Sequence, residues 1–462
     1  MSSPQNILTE NQQARKINNL ASIENSKAFC IYPWIHLFVS HFGTVSPCCL
    51  TPWDKDQALG DINEQSVEEI WNGDRMREFR LKMLRDEQDS RCWQCYDSEK
   101  NGLRSTRNMT NFLYADKLDW VLDTAADGSS SKAKPIYWDI RISNLCNFKC
   151  RICGHHSSSQ WFEDAKTLGL LSHDTKLHRG PKDFNLLMKQ LAFVIPDLEE
   201  IYFAGGEPLI MEEHYRILQM LTERKKTSVH LRYATNFSQT QYKGADLFRL
   251  WAQFEDVCVY ASLDGSGKRG ELQRHGQNWE QAVLNRQQML EVCPKVNFLI
   301  TSTTNVFNVL HLPDFHREWT AKGLIKIDEF MPHILRHPAE YNIRILTREL
   351  KQQTEEKIKR HVDWIISYSK QNPPEPPPPQ LLERLMGRLD WIKVERSTGH
   401  LKLDVIINEF RNCITYMNSS DDSHLIPQFR KMCADLDRLR GENTLEVFPE
   451  LSGLLEDMKP LP

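Results

Sequence analysis

The chain has 462 residues, enough for two or three domains. Its 40% apolar and 26% charged residues are ordinary for a globular protein. The net charge of −4 argues against a protein that coats nucleic acid or an anionic membrane, because such proteins are usually basic. The polar start "MSSPQNILTENQQARK" resembles no signal peptide, and no apolar run is long enough to span a membrane. We therefore expect a soluble, cytoplasmic protein without a membrane partner.

Composition changes along the chain predict five regions. They are a polar arm (1–25), a Cys- and Trp-containing region (26–121), a small, polar linker (122–134), a region of alternating elements (135–347) and a helical C-terminal region (348–462). The proline run "NPPEPPPP" within the last region predicts an extended break between helices.

Strand-like and helix-like segments alternate in the fourth region. The six strand-like runs are "PIYWDIRIS", "LEEIYFAG", "SVHLRYAT", "DVCVYASLD", "KVNFLITST" and "GLIKIDEF". Such alternation predicts a parallel sheet with helices on its outer face, here a partial (β/α)6 TIM-like barrel. The predicted fold class is α/β, with a small N-terminal α+β domain before the barrel and helices after it.

Cysteines are clustered in two places. Of the twelve, one group holds Cys30, Cys48, Cys49, Cys92 and Cys95, and the other holds Cys146, Cys150 and Cys153. In a long chain without a secretion signal, close spacing indicates metal or redox chemistry rather than disulfides. The other four are expected to be buried as small hydrophobic side chains, namely Cys258, Cys293, Cys413 and Cys433.

The second group reads "CNFKCRIC" and follows the first strand-like run, where α/β barrels build active sites. A zinc ion would need a fourth ligand, which His155 or His156 could supply. A 4Fe–4S cluster held by three thiolates has one iron without a protein ligand, and that iron can bind a small molecule. Three cysteines therefore suit a catalytic cluster, whereas four suit a closed site.

The spacing C-x3-C-x2-C after a first strand, with "GGEP" after the second, resembles the radical SAM superfamily. Alone, GGEP describes a turn in which Gly205 and Gly206 supply unusual backbone angles and Pro208 starts a helix. The resemblance implies that the glycines let the backbone approach the methionyl part of S-adenosylmethionine (SAM). It also implies that Glu207 accepts a hydrogen bond from the SAM ammonium group.

Residues at later strand ends fit what the resemblance implies for SAM binding. Thr235 and Asn236 in "ATNF" follow the third strand. In "SLDG", Ser262 and Asp264 are expected to bind the ribose or the amino-acid end of SAM, although an Asp-Gly turn alone also explains this segment. Arg274 in "LQRHG" is expected to pair with the SAM carboxylate, and the alternative is an exposed arginine at a helix start.

The activity implied by the resemblance is reductive cleavage of SAM, followed by abstraction of a substrate hydrogen by the 5′-deoxyadenosyl radical. The cofactors are a 4Fe–4S cluster and SAM, and the electron donor is a flavodoxin- or ferredoxin-type protein. Asn305, at the end of the fifth strand, is a further candidate ligand. The catalytic residues that act on the substrate are not assigned.

The first cysteine group resembles the SPASM/twitch auxiliary-cluster domain, in its shorter, twitch-like form. Its features are a cysteine before a Pro-Trp strand, a Gly-x4-Cys hairpin, an "IW" helix and a closing Cys-x2-Cys. The spacing from Gly43 favours Cys48 over Cys49 as a ligand. The resemblance then implies a second 4Fe–4S cluster, held by four thiolates: Cys30, Cys48, Cys92 and Cys95.

This N-terminal region has one alternative interpretation and one departure from the family pattern. The same four cysteines could hold a structural zinc ion. In most relatives the module follows the barrel, whereas here it precedes the barrel. The tryptophans Trp34, Trp71 and Trp93 are expected to pack around the cluster.

The substrate is expected to be a peptide, because auxiliary-cluster members of the superfamily often modify peptides. A sugar, nucleotide or nucleic acid is the alternative substrate, and a zinc-stabilised binding protein without catalysis is the alternative function. The C-terminal helices are expected to cover the open side of the barrel. Cys413 or Cys433 could donate a hydrogen atom, with a buried structural role as the alternative.

Overall fold

A computed structural model describes residues 23, 25–102, 105–171, 174–375, 398 and 400–455. Nearly all of the predicted polar arm, half of the proline run and the segment "LLERLMGRLDWIKVE" lie outside these residues. The chain divides into two units, Met1–Ile142 with Arg179–Tyr202 and Ser143–His178 with Phe203–Pro462. The five region boundaries expected from the sequence remain predictions.

The first unit contains a small sheet built from both N-terminal and central segments. Its strands are β1 (His36–Val39), β2 (Thr44–Ser46), β3 (Gly60–Asp61), β4 (Tyr137–Ile140) and the start of β5 (Glu200–Phe203). Strand β1 pairs antiparallel with β2 and parallel with β4, in the order β3-β2-β1-β4-β5. The strand predicted from "PIYWDIRIS" therefore extends the sheet of the cysteine-rich region.

Among the described residues of this unit there are seven short helices. They are α1 (Tyr32–Ile35), α2 (Val67–Trp71), α3 (Asp74–Leu84), α4 (Trp93–Lys100), α5 (Thr106–Leu113), α6 (Leu118–Leu122) and α8 (Phe184–Val194). Ser66 starts α2 through a capping box, in which its backbone N–H donates to Glu69 Oε2 at 2.7 Å. The Pro-Trp strand was a wrong expectation: Pro33 lies in the first turn of α1, where a fixed φ suits a helix, and the strand begins at His36.

The second unit contains a parallel sheet of four strands, in the order β11-β10-β9-β6. They are β6 (His230–Thr235), β9 (Val257–Ala261), β10 (Asn297–Thr304) and β11 (Phe330–Ile334). A hairpin of β7 (Gln241–Tyr242) and β8 (Ala245–Asp246) lies outside that sheet. Buried residues alternate along β6, β9 and β10, as a period of two requires.

Helices follow the strands of this unit, and the C-terminal part is helical. They are α7 (Phe162–Thr167), α9 (Glu212–Glu223), α10 (Leu247–Trp251), α11 (Gly267–Gln273), α12 (Trp279–Val292), α13 (Leu312–Ala321), α14 (Arg348–Gln371), α15 (Leu401–Met417), α16 (Ile426–Arg440), α17 (Thr444–Val447) and α18 (Ser452–Leu455). The mixed α/β class and the parallel strands are confirmed, while the closure into a partial (β/α)6 barrel remains a prediction.

Two details differ from expectation. The sixth strand begins at Phe330, the last residue of "GLIKIDEF", because Glu329 accepts from the Lys326 N–H at 2.9 Å and holds the preceding residues in a turn. Cys258 is only half-buried, because it occupies an outward position of β9. The expected burial of the other solitary thiols is correct for Cys293, Cys413 and Cys433. Within the described parts of the chain, no helix is both long and apolar enough to cross a bilayer.

Candidate active site

The loop that carries the second cysteine group is folded back on itself in the second unit. The Cys153 N–H donates to the Cys150 carbonyl at 3.0 Å, and the Trp161 indole donates to the same carbonyl at 2.7 Å. The Ser159 N–H donates to the Asn144 carbonyl at 2.8 Å, which closes the loop at its base. These bonds bring three thiols from eight residues of chain into one buried neighbourhood.

Burial and the neighbouring thiols shift the pKa values of the three cysteines. Burial, and then the charge of Cys150, raises the pKa of Cys146 to about 12. A hydrogen bond with Cys153, and then burial, holds the pKa of Cys150 well above that of a free thiol. The raised pKa values favour the protonated thiols of Cys146 and Cys150 in the metal-free protein, whereas the hydrogen bond with Cys150 lowers the pKa of Cys153. An iron–sulfur cluster would have to displace the protons that the thiols hold. Within the described residues, no three Cys, His, Asp or Glu side chains are arranged to hold a single metal ion.

The GGEP turn packs directly against this cysteine loop. Gly205 and Gly206 have φ values of +79° and +53°, a region that favours glycine. A Cβ atom at Gly206 would lie 2.2 Å from the Leu145 carbonyl oxygen, so no larger residue fits. The Glu207 N–H donates to that oxygen at 2.8 Å. The turn and the first cysteine, which follows Leu145, are thus held together by backbone contact.

Glu207 lies in a buried pocket of hydrogen-bond donors, with 1% of its surface exposed. Oε1 accepts from the Thr235 hydroxyl at 2.7 Å and the Leu209 N–H at 3.0 Å, and Oε2 accepts from the Asn236 N–H at 2.7 Å. Burial raises the pKa of Glu207 to about 7, although these bonds favour the carboxylate. Three of about four acceptor positions are occupied, so room for one more donor remains.

Arg274 is buried beside the thiols, which excludes the alternative of an exposed arginine at a helix start. It follows the last residue of α11, and its Nη1 lies 3.8 Å from Cys150 Sγ. Its Nε lies 2.8 Å from Asp264 Oδ2. Although burial alone would lower the pKa of Arg274, the charges of Asp264 and Cys150 raise it. Arg274 is therefore a fixed positive charge at the cysteine loop.

The other candidate residues differ in what they face. Asp264 Oδ1 accepts from the Thr303 N–H at 2.7 Å, and its other oxygen faces Arg274, so both oxygens contact protein groups. Asn305 is fully buried and donates to the Thr303 carbonyl at 2.8 Å. Ser262 is half-buried at the end of β9. Contacts of all these residues with SAM remain predictions.

Sequence reasoning missed two residues of the cysteine loop. Asn147 accepts from the Asn236 side chain at 2.8 Å and donates to the Ser238 hydroxyl at 2.9 Å, which joins the loop to the end of β6. Arg151 pairs with Asp437 and Glu442, which lie 286 and 291 residues away. The basic residues between the cysteines were a visible signal, but no spacing rule could identify partners so distant.

A second candidate site lies in the first unit. Four thiols line one cavity with apolar neighbours that include Pro33 and Phe79, and they are those of Cys30, Cys48, Cys92 and Cys95. Burial, and then the charge of the nearby Cys95, raises the pKa of Cys92 to about 12. A set of four thiols around one cavity fits a closed 4Fe–4S cluster.

The residues that line this cavity support one expectation and correct another. Cys49 is absent from the cavity lining and interacts with Asp139, which agrees with the preference for Cys48. None of the three tryptophans lines the cavity. Trp34 and Trp71 are buried elsewhere in the unit, and Trp93 is 45% exposed.

Comparison with known proteins identifies the N-terminal region. The SPASM family, described as an iron-sulfur cluster-binding domain, matches residues 30–96. A curated relative, 7,8-dihydro-6-hydroxymethylpterin dimethyltransferase of Methanocaldococcus jannaschii, is 25% identical over 167 residues. The match spans 36% of this chain and 29% of that relative. The predicted auxiliary-cluster domain is thereby confirmed as a SPASM domain.

Solved structures with detectable likeness include two peptide complexes. One is anSMEcpe with bound AdoMet and the Cp18Cys peptide, which is 17% identical in sequence with a TM-score of 0.36. The match covers 51% of this chain and 60% of that chain. Another is SuiB of Streptococcus suis bound to the precursor peptide SuiA, which is 15% identical in sequence with a TM-score of 0.35. That match covers 74% of this chain and 70% of that chain.

Replacing Gly206 should reveal the close approach of the two loops. We expect Gly206→Ala to lower the free energy of unfolding by about 1–3 kcal/mol more than Gly323→Ala. Both glycines have positive φ, +53° and +66°, but nothing lies within 4 Å of a Cβ at Gly323. Urea unfolding of the metal-free proteins measures the difference. Equal losses for the two variants would contradict the steric interpretation.

Proposed function

We propose that this chain, a radical SAM protein with an N-terminal SPASM domain, cleaves SAM reductively and abstracts hydrogen from a substrate. When bound, the cluster and SAM supply the chemistry: an added electron breaks the sulfonium C–S bond and yields methionine and a 5′-deoxyadenosyl radical. The protein's own contribution is to hold the reactants, place the substrate hydrogen and exclude water.

One observation supports this proposal most strongly. The three-cysteine loop and the GGEP turn meet at the Leu145 carbonyl, with the buried Arg274 beside Cys150. Thiols, a buried carboxylate and a buried guanidinium therefore share one small volume. This combination suits a cluster with an amino acid bound next to it, because an amino acid offers an ammonium to the carboxylate and a carboxylate to the guanidinium.

In the proposed site, Cys146, Cys150 and Cys153 hold the cluster. Glu207 accepts from the SAM ammonium through its remaining acceptor position, and Arg274 attracts the SAM carboxylate. The loop residues Thr235 and Asn236 position Glu207 through the hydrogen bonds described above, and Asp264 positions Arg274 through its ion pair. Ser262 remains a proposed contact to the ribose.

The SPASM domain is proposed to hold an auxiliary 4Fe–4S cluster through Cys30, Cys48, Cys92 and Cys95. Four thiolates leave no iron open to SAM, so this cluster would exchange an electron with a substrate radical or support the wall of the substrate site. Electrons would come from a flavodoxin- or ferredoxin-type donor. Iron analysis of protein purified anaerobically should find about eight irons per chain.

The proposed substrate is a peptide, on the strength of the family resemblance. The curated relative favours a second candidate, a pterin-like heterocycle, because its name describes methyl transfer to a pterin. Anaerobic incubation with SAM, dithionite and either a peptide extract or a pterin distinguishes the two. Deuterium moving from labelled substrate into 5′-deoxyadenosine identifies the compound that loses hydrogen.

Loss of any one thiol of the three-cysteine loop should abolish SAM cleavage, because the cluster would lose a ligand. We expect Cys146→Ala, Cys150→Ala and Cys153→Ala to form no 5′-deoxyadenosine above background. Cys258→Ala is the matched control, since that half-buried thiol belongs to neither group. Chromatography of anaerobic reactions measures the product. Formation at the wild-type rate in any of the three variants would refute the assignment.

Removing the charge of Glu207 should weaken SAM binding. A charge-assisted hydrogen bond contributes about 1.5–3 kcal/mol, so we expect Glu207→Ala and Glu207→Gln to lower SAM affinity roughly ten- to hundredfold. Glu212→Gln is the control, because that exposed carboxylate pairs with Lys243. Equilibrium dialysis with labelled SAM gives the affinity. A value within about twofold of wild type in both Glu207 variants would mean that GGEP is only a turn.

The two clusters should be separable by mutation. We expect the double variant Cys92→Ala and Cys95→Ala to lose about four irons yet retain some SAM cleavage, because the other loop is intact. Substrate turnover should fall much further than cleavage does. Cys49→Ala, outside the cavity, should keep its iron. Circular dichroism must first show that the double variant is folded, since a small domain can collapse without its metal. Full iron content in the folded double variant would contradict the auxiliary site.

A further inference from the structure

Both basic residues inside "CNFKCRIC" are paired within the second unit, where Arg151 is fully buried and Lys149 keeps 24% of its side chain exposed. Lys149 Nζ donates to Asp164 Oδ1 at 2.9 Å. Arg151 has a fully buried side chain, and it donates to Asp437, to Glu442 Oε2 at 2.6 Å and to the Thr444 hydroxyl at 3.0 Å. Each basic residue that alternates with the cysteines therefore has an acidic partner.

The end of α16 supplies most of these partners. Arg440, its last residue, donates from Nε to Asp164 Oδ2 at 2.8 Å, so Asp164 joins Arg440 to Lys149. Gly441 has a φ of +64°, which lets the chain reverse after the helix. The Glu442 N–H then donates to the Asp437 carbonyl at 2.9 Å, which directs the Glu442 side chain at Arg151.

Charges in this network balance. Three cations, Lys149, Arg151 and Arg440, face three anions, Asp164, Asp437 and Glu442. Every one of these side chains is at least three-quarters buried. Removing one partner of a buried pair leaves an uncompensated charge, which is strongly unfavourable. The neutrality of the network is thus a property that a single substitution can break.

Glu442 also reaches the segment that carries Arg274. Its Oε1 lies 2.5 Å from His275 Nδ1. The His275 carbonyl in turn accepts from the Lys149 N–H at 2.9 Å, and the Gln273 carbonyl accepts from the Arg151 N–H at 2.8 Å. The Glu442 carboxylate therefore contacts both Arg151 of the cysteine loop and His275, the residue that directly follows Arg274.

We propose that Asp437 and Glu442 are positioning residues for the three-cysteine loop and for Arg274. The C-terminal helical region is then a structural part of the cluster site, in addition to any cover that it provides. This inference rests on the proposed cluster role of the three cysteines. It has two consequences. The acids hold the loop in place without metal, and their negative charges offset the positive charges of the basic residues around the proposed cluster.

The first consequence is tested on metal-free protein by hydrogen exchange of the Lys149 and Arg151 amides. In Glu442→Gln and Asp437→Asn we expect these amides to exchange about ten- to hundredfold faster, because a charge-assisted contact that restrains the loop is lost. The control is Asp435→Asn, on the same helix, whose partners are the surface residues Lys431 and Arg438. Exchange in both variants equal to that of the control would overturn the positioning role.

The second consequence is tested on protein loaded with iron and sulfide, by a reduction titration followed by electron paramagnetic resonance. Loss of one negative charge should raise the reduction potential of the SAM-site cluster, because the reduced cluster is the more negative form. Arg151→Lys keeps the charge but loses the forked contacts, so it should speed amide exchange with a smaller change in potential. Unchanged potentials in both acid variants would overturn the electrostatic part.

The two proposals fail in different ways. If the double variant Cys92→Ala and Cys95→Ala binds no iron at all, the proposed cluster function fails, while amide exchange still tests the role of the acids. If that protein holds a SAM-responsive cluster but the acid variants match Asp435→Asn in exchange and potential, the positioning inference alone is wrong.

Discussion

The contact between the Gly206 backbone and the Leu145 carbonyl is the constraint on which the candidate active site depends. Leu145 directly precedes the first cysteine of the loop, and Gly206 directly precedes Glu207. A single backbone contact therefore sets the distance between the first thiol and the buried carboxylate, through the 2.8 Å bond from the Glu207 N–H. Only glycine permits this approach, because a Cβ atom would occupy the position of the carbonyl oxygen. How far the other groups of the site can shift therefore depends on how rigidly these two loops are joined.

Burial gives this site a characteristic set of charges. Burial raises the pKa of Cys146 to about 12 and so favours its neutral thiol without metal, whereas Arg274 stays positive beside Asp264. A guanidinium close to Cys150 favours the thiolate over the thiol, so it favours metal binding as well. Glu207 is balanced differently, because burial opposes its ionisation and three hydrogen bonds promote it. The site is therefore arranged for groups that arrive with their own charges, such as an iron cluster and an amino acid.

The candidate site residues could be proposed from the sequence because they lie in short motifs with fixed spacing, and their roles toward a cluster and SAM remain predictions. The strands could be predicted from a period of two, and the SPASM domain from the spacing of its cysteines and glycine. Errors arose where local pattern and tertiary packing disagree: the Pro-Trp segment forms a helical turn, and the sixth strand starts late at Phe330. Burial of Arg274 was beyond reach, since an arginine at a helix end is usually exposed. Its partner Asp264 shows why, because the ion pair joins the segment after β9 to the end of α11 and so depends on tertiary packing.

The basic residues of the cysteine loop explain why distant acidic residues belong to this site. Lys149 and Arg151 alternate with cysteines that must be buried, so their charges must be buried too, and each buried cation needs an anion. One anion, Asp164, is close in sequence, and the others must come from elsewhere in the chain. Here they come from the end of α16 and the residues just after it, 286 and 291 residues further along the chain. A buried cation in a motif therefore predicts an anion in a distant segment, which the spacing of the motif alone does not predict. By that reasoning the C-terminal region of this chain is tied to the site by electrostatic necessity, whatever further part it has in selecting a substrate.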